Sequence, residues 1–224
     1  MHPSDCPNWQ YGDYPLRKQV VPVRVSEILV KLRTQELDTL RIAVETRGVH
    51  GQIFAELTPP DHDYFAGHYR GEDFRCLRFY QVTVRGDPRV GRPPHSVAFW
   101  MQELGAKIRV GIAGLDGNVL ITPKDRLHLI LALTCHIFVG FLTIHPYADG
   151  NGHIARIIVW CLLGRYGHWP KNWTVEPRPP DPPYSQLIAA YRSGNIEPME
   201  RYFLQNILAT QPAIALDQPQ VHLP

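Results

Sequence analysis

Two strongly apolar segments, residues 127–144 and 154–166, are separated by a single short polar loop, and they constrain the fold more than any other feature of the chain. Both are apolar nearly all the way round. A surface helix needs a polar face, so two such helices in succession must lie at the middle of a bundle. The first also reaches the lower edge of membrane-span length. It carries His128 and His136, however, and a Gly-rich polar loop follows at once, which favours a buried helix. Its start is well marked. Thr122 offers a capping oxygen, Pro123 suits the first helical position, and Asp125 places a negative charge in the first turn.

The remaining elements follow from periodicity and breakers. Residues 26–47 have helix-like apolar spacing through Ile28, Leu29, Leu32, Leu37, Leu40, Ile42 and Val44. Gly48 and Gly51 then interrupt, a short apolar helix runs to Leu57, and Pro59-Pro60 stops it. Residues 1–22 read as a Pro-rich extended arm. From Phe74 the stretch FRCLRFYQVTV is rich in aromatic and β-branched residues and leads into a Gly86-Asp87-Pro88 turn, so a β-hairpin is expected over about residues 75–95. Residues 97–104 read as helix and 114–117 as loop. The stretch RPPDPP at 178–183 reads as an ordered linker. Residues 184–191 and 197–208 read as closing helices, and the tail from Gln211 as loose. The expected fold is mainly α, a helical bundle with one β-hairpin.

Composition narrows the function classes. Apolar residues make up 44% and charged residues 20%, as in globular domains. The net charge of +2 is weak and the arginines are scattered, so no nucleic-acid partner is expected. None of the cysteines, Cys6, Cys76, Cys135 and Cys161, stands at CxxC spacing, and the last two lie in apolar runs. Unpaired thiols, a reducing compartment and no structural zinc are expected. The first residues contain no apolar h-region, so neither a signal peptide nor a membrane partner is expected, and the cytoplasm is the expected location.

The loop itself, residues 145–156, reads His-Pro-Tyr-Ala-Asp-Gly-Asn-Gly-His-Ile-Ala-Arg. His145, Asp149 and His153 stand four apart, a spacing that on one helix would align three metal ligands. Pro146, Gly150 and Gly152 oppose a continuous helix there, and a loop entering a helix is the better reading. Such a loop makes an anion site, with backbone N–H groups at 150–152 and the helix dipole behind them. Asn151 adds a side-chain donor and Arg156 a guanidinium fork. Asp149 offers a hard oxygen suited to Mg²⁺. His145 titrates near neutrality and is the natural general base. Taken singly, each piece has an ordinary structural explanation, as a turn, a cap or a core residue. Their conjunction between two buried helices points to function.

At this point the loop resembles the signature of the Fic family, His-x-Phe-x-(Asp/Glu)-Gly-Asn-Gly-Arg-x-x-Arg. It matches at His145, Asp149, Gly150, Asn151, Gly152 and Arg156, with Tyr147 at the Phe position and His153 in place of the first Arg. The expected hairpin lies where Fic proteins carry a target-holding flap, and the resemblance spans about residues 65–210. It divides the chain into an N-terminal arm and helical layer (1–60), a Fic-like catalytic domain (61–210) and a Pro-rich tail (211–224).

The resemblance implies a protein adenylyltransferase. It would move AMP from ATP, or another nucleotide monophosphate, onto a Ser, Thr or Tyr hydroxyl of a target protein. His145 would take the hydroxyl proton and Asp149 would hold Mg²⁺. Asn151 and the Gly150 and Gly152 amides would stabilise charge on the α-phosphate, and Arg156 would bind the leaving phosphates. His153 also falls at a nucleotide-binding position, where an imidazole offers one hydrogen bond in place of a fork. That change bears on donor choice, since relatives use UTP, GTP or CDP-choline. The family's inhibitory pattern (Ser/Thr)-x-x-x-Glu-(Gly/Asn) is approached only at Ser193 to Glu197, where Pro198 follows and a plain turn is the better reading. A separate inhibitory partner stays open. Two other classes also stand: a metal-dependent hydrolase built on His145, Asp149 and His153, and a catalytically degenerate binding module.

Overall fold

The computed structural model describes residues 6–84, 87–118, 120–170 and 172–208. The tail expected to be loose, residues 211–224, lies outside them. Eight α-helices are present among the described residues: α1 (Arg17–Arg33), α2 (Thr39–Val44), α3 (Arg47–Phe54), α4 (Val97–Gly117), α5 (Pro123–Ile144), α6 (Asn151–Gly164), α7 (Tyr184–Arg192) and α8 (Glu197–Leu208). α5 and α6 pack together at the centre. α4 lies against α5, α2 and α1 against α6, and α7 and α8 close the far side of α5.

The central pair forms as the sequence requires. Every residue of α6 except Gly152 is buried. α5 is buried along its C-terminal part from Ile130, and Thr122 caps it by accepting the Asp125 N–H at 3.1 Å. By length and composition α5 is apolar enough to cross a membrane, but here its apolar side chains pack into the same core as those of α4, α6 and α8.

Several expected boundaries move. The arm ends early, because α1 begins at Arg17 and accommodates Pro22 in its second turn. Val21, Val25, Ile28 and Leu32 give α1 one buried stripe, and that packing outweighs the missing proline N–H. The single helix expected over 26–47 divides at residues 34–38. Gln35 turns left-handed there, and the Asp38 side chain caps α2 by accepting the Arg41 N–H at 2.6 Å. Gly48 and Gly51 lie inside α3, and α4 runs on through 114–117, where a loop was expected.

The expected β-hairpin at 75–95 is corrected. Among the described residues there is no strand pair, only an isolated bridge between Val84 and Asp87. The donors that a second strand would offer go elsewhere: Gly91 N–H bonds to the Thr143 carbonyl at 3.0 Å and Arg92 N–H to the Ile144 carbonyl at 3.1 Å. The segment therefore caps the C-terminus of α5 instead of pairing with itself.

The cysteine expectation is also corrected. Cys6 and Cys76 form a disulfide across 70 residues. A pairing at that separation has no spacing signature in the sequence, and with it the cysteine argument for a reducing compartment falls. Cys135 and Cys161 are free and buried.

Candidate active site

The loop 145–150 turns the chain from α5 into α6. His145 ends α5 in a left-handed conformation, φ 55° and ψ 63°, which is uncommon for a residue with a Cβ. Three bonds hold it there. Its N–H donates to Phe141 O at 2.9 Å, its carbonyl accepts from Arg70 Nε at 2.8 Å, and Nδ1 lies 3.3 Å from Leu142 O. A carbonyl can only accept, so Nδ1 carries the proton and Nε2 keeps its lone pair. Burial holds the imidazole pKa down to about 4, opposed by the Leu142 bond and assisted by Arg70 and Arg192. At neutral pH His145 is therefore uncharged and able to accept a proton.

Arg70 was not singled out from the sequence. It is 1% exposed and bonds four carbonyls: those of His145, Ile144, Tyr80 and Arg92. Its own N–H donates to Pro146 O at 2.8 Å. One side chain thus ties the end of α5 to the segment that crosses it. Its partners lie 10 to 75 residues away along the chain, and no local pattern marks the residue.

The middle of the loop is held by Asn151 and Tyr147. Asn151 Oδ1 accepts the Tyr147 N–H and its Nδ2 donates to the Tyr147 carbonyl, both at 2.9 Å. This pair of hydrogen bonds fixes the shape of the loop and leaves one Nδ2–H of the amide that was expected to meet the α-phosphate. The Tyr147 ring is fully buried and its hydroxyl lies 2.7 Å from Thr46 Oγ1, so tyrosine at the Phe position has a partner waiting. His50, also fully buried, stacks on that ring at 3.7 Å. Its Nδ1 accepts the Gly67 N–H, so Nε2 donates to the Asp149 carbonyl at 3.0 Å. Gly150 then takes φ +75°, and a Cβ there would come within 2.4 Å of the Phe54 ring.

The anion cradle is narrower than expected. The Gly150 N–H is taken by Asp149 Oδ1 at 2.7 Å. The amides of Asn151 and Gly152, at the start of α6, bond to no protein acceptor among the described residues. Arg156 is 3% exposed and anchored by Nε on the Val175 carbonyl at 2.8 Å. His145, Gly152 and Arg156 line one cavity of about 430 Å³, which Arg178, Tyr184 and Arg192 also border. Tyr184 is buried in its wall, and its hydroxyl makes no hydrogen bond of good geometry among the described residues. These last three residues were also missed, since they lie beyond the signature: Tyr184 and Arg192 reach it on α7, and Arg178 from the segment before α7.

Asp149 and His153 face the other way. Asp149 Oδ2 accepts the Tyr11 N–H at 3.0 Å, and Asp149 does not border the cavity of His145. Burial raises its pKa, with the Gly150 and Tyr11 bonds opposing. Each oxygen accepts one backbone N–H and keeps a further lone pair, but the carboxylate as placed would hold Mg²⁺ outside the cavity shared by His145 and Arg156. His153 is 3% exposed and its Nε2 lies 2.6 Å from Glu176 Oε2. Its ring meets Tyr11 and Phe54 edge-on. Burial lowers its pKa against the pull of Glu176. The expected nucleotide-binding role of His153 therefore has no support in its position. The hydrolase alternative fails too: His145, Asp149 and His153 point to three different partners, and the described residues include no set of three or more His, Cys, Asp or Glu side chains able to hold a metal.

A central helix pair joined by a glycine-rich loop, with a histidine before the loop and an arginine beyond it on one cavity, defines a class of signature-loop helical bundles. The chain belongs to the Fic/DOC family, whose sequence model matches residues 43–163, more than half of the chain. The match begins within the helical layer that was expected to lie outside the catalytic domain. Among solved structures the chain is similar to a Fic domain-containing signaling protein from Bacteroides thetaiotaomicron VPI-5482. That likeness has a TM-score of 0.57 at 19% identity and covers 86% of this chain and 68% of the other. No curated protein matches the chain.

Proposed function

We propose that this protein transfers a nucleoside monophosphate, AMP from ATP, to a Ser, Thr or Tyr hydroxyl of a target protein. The observation that carries the reading is the shared cavity. A neutral His145 with an open Nε2 borders the same space as Arg156, Arg178 and the free N-terminal end of α6. The target hydroxyl gives its proton to Nε2 as its oxygen bonds to the α-phosphorus. The bond from that phosphorus to the bridging oxygen breaks, and pyrophosphate leaves with its charge met by Arg156 and Arg178. Catalysis in this scheme is positioning and electrostatics, with one proton transfer. Asp149 has no part in these steps in its present position.

The test is incubation of the protein with labelled ATP, UTP, GTP and CTP, followed by intact and peptide mass spectrometry of the chain and of an added protein mixture. Adducts of a nucleoside monophosphate are expected on hydroxyl side chains. His145→Ala should lower their rate by about 10²–10⁴-fold while the protein stays folded. Loss of phosphate from the nucleotide without any protein adduct would overturn the reading.

A further inference from the structure

Beside the cavity of His145 lies a second one, of about 510 Å³, between α4, the C-terminal half of α5 and the end of α7. The proposed transfer makes no use of it. Its rim is unusually cationic. Arg89, Arg92, Lys107 and Arg192 border it, with Glu103 as the single bordering carboxylate and Trp100 as the largest apolar surface. Arg89 and Arg192 share Asp87, at 2.8 and 3.0 Å. Arg92 and Lys107 form no ion pair among the described residues. The Arg92 guanidinium lies over the Trp100 ring at 4.5 Å, and its Nε is buried with no hydrogen-bond partner among the described residues. An arginine left with an unmet buried donor beside a free lysine has unused capacity for an anion.

The position of this cavity gives it meaning. Its wall includes Thr143 and Ile144, the two residues before His145, and Arg192 borders both cavities. Arg192 Nε donates to Thr143 Oγ1 at 3.1 Å, so the partition is fixed to α5. Arg92 is fixed as well: its N–H bonds to Ile144 O, and its carbonyl accepts from Arg70 at 3.0 Å. An extended chain advances about 3.3–3.6 Å per residue. A segment whose hydroxyl sits at His145 would thus carry a neighbouring side chain over Arg192 and into this second space.

We infer that the second cavity is a recognition subsite for an aspartate or glutamate side chain of the target protein, a few residues from the hydroxyl that is modified. Its carboxylate would meet Arg92 and Lys107, and its methylene groups would lie on Trp100. Charge complementarity selects the occupant, because two unpaired cations over an aromatic floor favour a carboxylate on a short apolar stem. The inference rests on the transferase reading for the place of the hydroxyl, but binding alone can test it.

The probes are fluorescein-labelled, acetylated dodecapeptides with one Ser in a Gly/Ala background. Each carries one Glu, placed one to five residues to either side, and is matched to a Gln control. Anisotropy is measured without nucleotide. At one or two placements Glu should bind at least about fivefold tighter than Gln, a difference of about 1 kcal/mol. Lys107→Gln should erase that preference, and Lys107→Glu should shift it toward a Lys peptide. Lys107 is exposed on α4 and outside the catalytic cavity, so circular dichroism of both variants should match the native chain. Equal binding of Glu and Gln peptides, or no binding up to millimolar concentration, overturns the inference. So does competition in which inorganic pyrophosphate occupies the cavity but no peptide does. A protein that prefers Glu peptides yet transfers no nucleotide would sink the transferase reading alone.

Discussion

The Arg70 guanidinium donates Nε–H to the His145 carbonyl at 2.8 Å, joining the least exposed arginine among the described residues to the one histidine among them in the left-handed conformation. The same guanidinium bonds the carbonyls of Ile144, Arg92 and Tyr80. His145, the proposed general base, is therefore held through its backbone by a residue that is itself locked. Replacing Arg70 by Met leaves several buried carbonyls unpaired and should cost at least about 3 kcal/mol in urea unfolding. Arg70→Lys, with fewer donors, should keep more stability than Met yet still lower kcat with little change in KM for the nucleotide. An unaltered kcat in Arg70→Lys would remove Arg70 from the positioning of His145.

The pH dependence follows from two buried imidazoles. His145 and His50 have folded pKa values pushed down to about 4 and about 3, chiefly by burial, against 6.5 when unperturbed. Both are neutral in the fold, so each contributes stability above pH 6.5 that is lost as pH falls toward its folded value. Unfolding midpoints in urea should fall steadily below pH 6.5, by up to about 1.4 kcal/mol per pH unit for each histidine. His145→Asn should remove one share of that slope. Transfer activity needs the neutral imidazole. It should therefore stay flat in its base limb from pH 8 to 6 and decline only near pH 4, and a base limb centred at 6.5 would contradict the assignment.

Gly150→Ala tests the loop without touching a polar group. The substitution puts a Cβ into the Phe54 ring and strains a φ of +75°. The expected cost is about 3 kcal/mol or more. Phe54→Leu in the same chain should recover part of the steric share but none of the backbone share. If Gly150→Ala is as stable as the native protein by thermal melting, the close approach of α3 to the loop is wrong.

His153→Arg restores the residue usual in the family signature. In this fold the side chain meets Glu176, Tyr11 and Phe54, and it does not border the cavity of His145. No gain in kcat/KM for ATP is expected, and overpacking should cost about 1–3 kcal/mol. A fivefold or larger gain would show that position 153 reaches the donor. Because His153 does not border that cavity, the native pH profile should also show no acid-favouring limb that disappears in this variant.

The Cys6–Cys76 bridge tethers the segment that holds the Tyr11 N–H on Asp149. Reduction should speed hydrogen exchange at Tyr11 at least tenfold, since the segment then depends on Trp9 and its bonds to Leu57 and Tyr80. The buried amide of Tyr147 should keep its protection, and the Cys6→Ser, Cys76→Ser pair should reproduce the result. Equal exchange of Tyr11 with and without reductant would show that the bridge does not govern the segment.

The central helices and the signature loop were legible because each is local. α5 and α6 announce themselves by apolar residues all round, and Gly150 and Gly152 forbid one continuous helix. What could not be read were contacts made over long separations. Arg70 meets His145 across 75 residues, Tyr11 meets Asp149 across 138, and Cys6 meets Cys76 across 70. The expected hairpin failed for a related reason. Its aromatic and β-branched texture was real, but the backbone donors of Gly91 and Arg92 found the open carbonyls at the end of α5, which no local pattern reveals. The surroundings of His153 were hidden because its position in the signature fixes its place on α6 but not the identity of the groups beside it. Here those are Glu176 and a ring from the N-terminal segment.

The bridge has a practical side as well. A sample purified with dithiothreitol and one purified in air contain the same polypeptide as two different covalent molecules. They should differ on a non-reducing gel, in free-thiol count and in susceptibility to proteases near the N-terminus. Any property measured for this protein thus belongs to one of the two species, and the thiol state of the sample is part of the definition of the molecule being assayed.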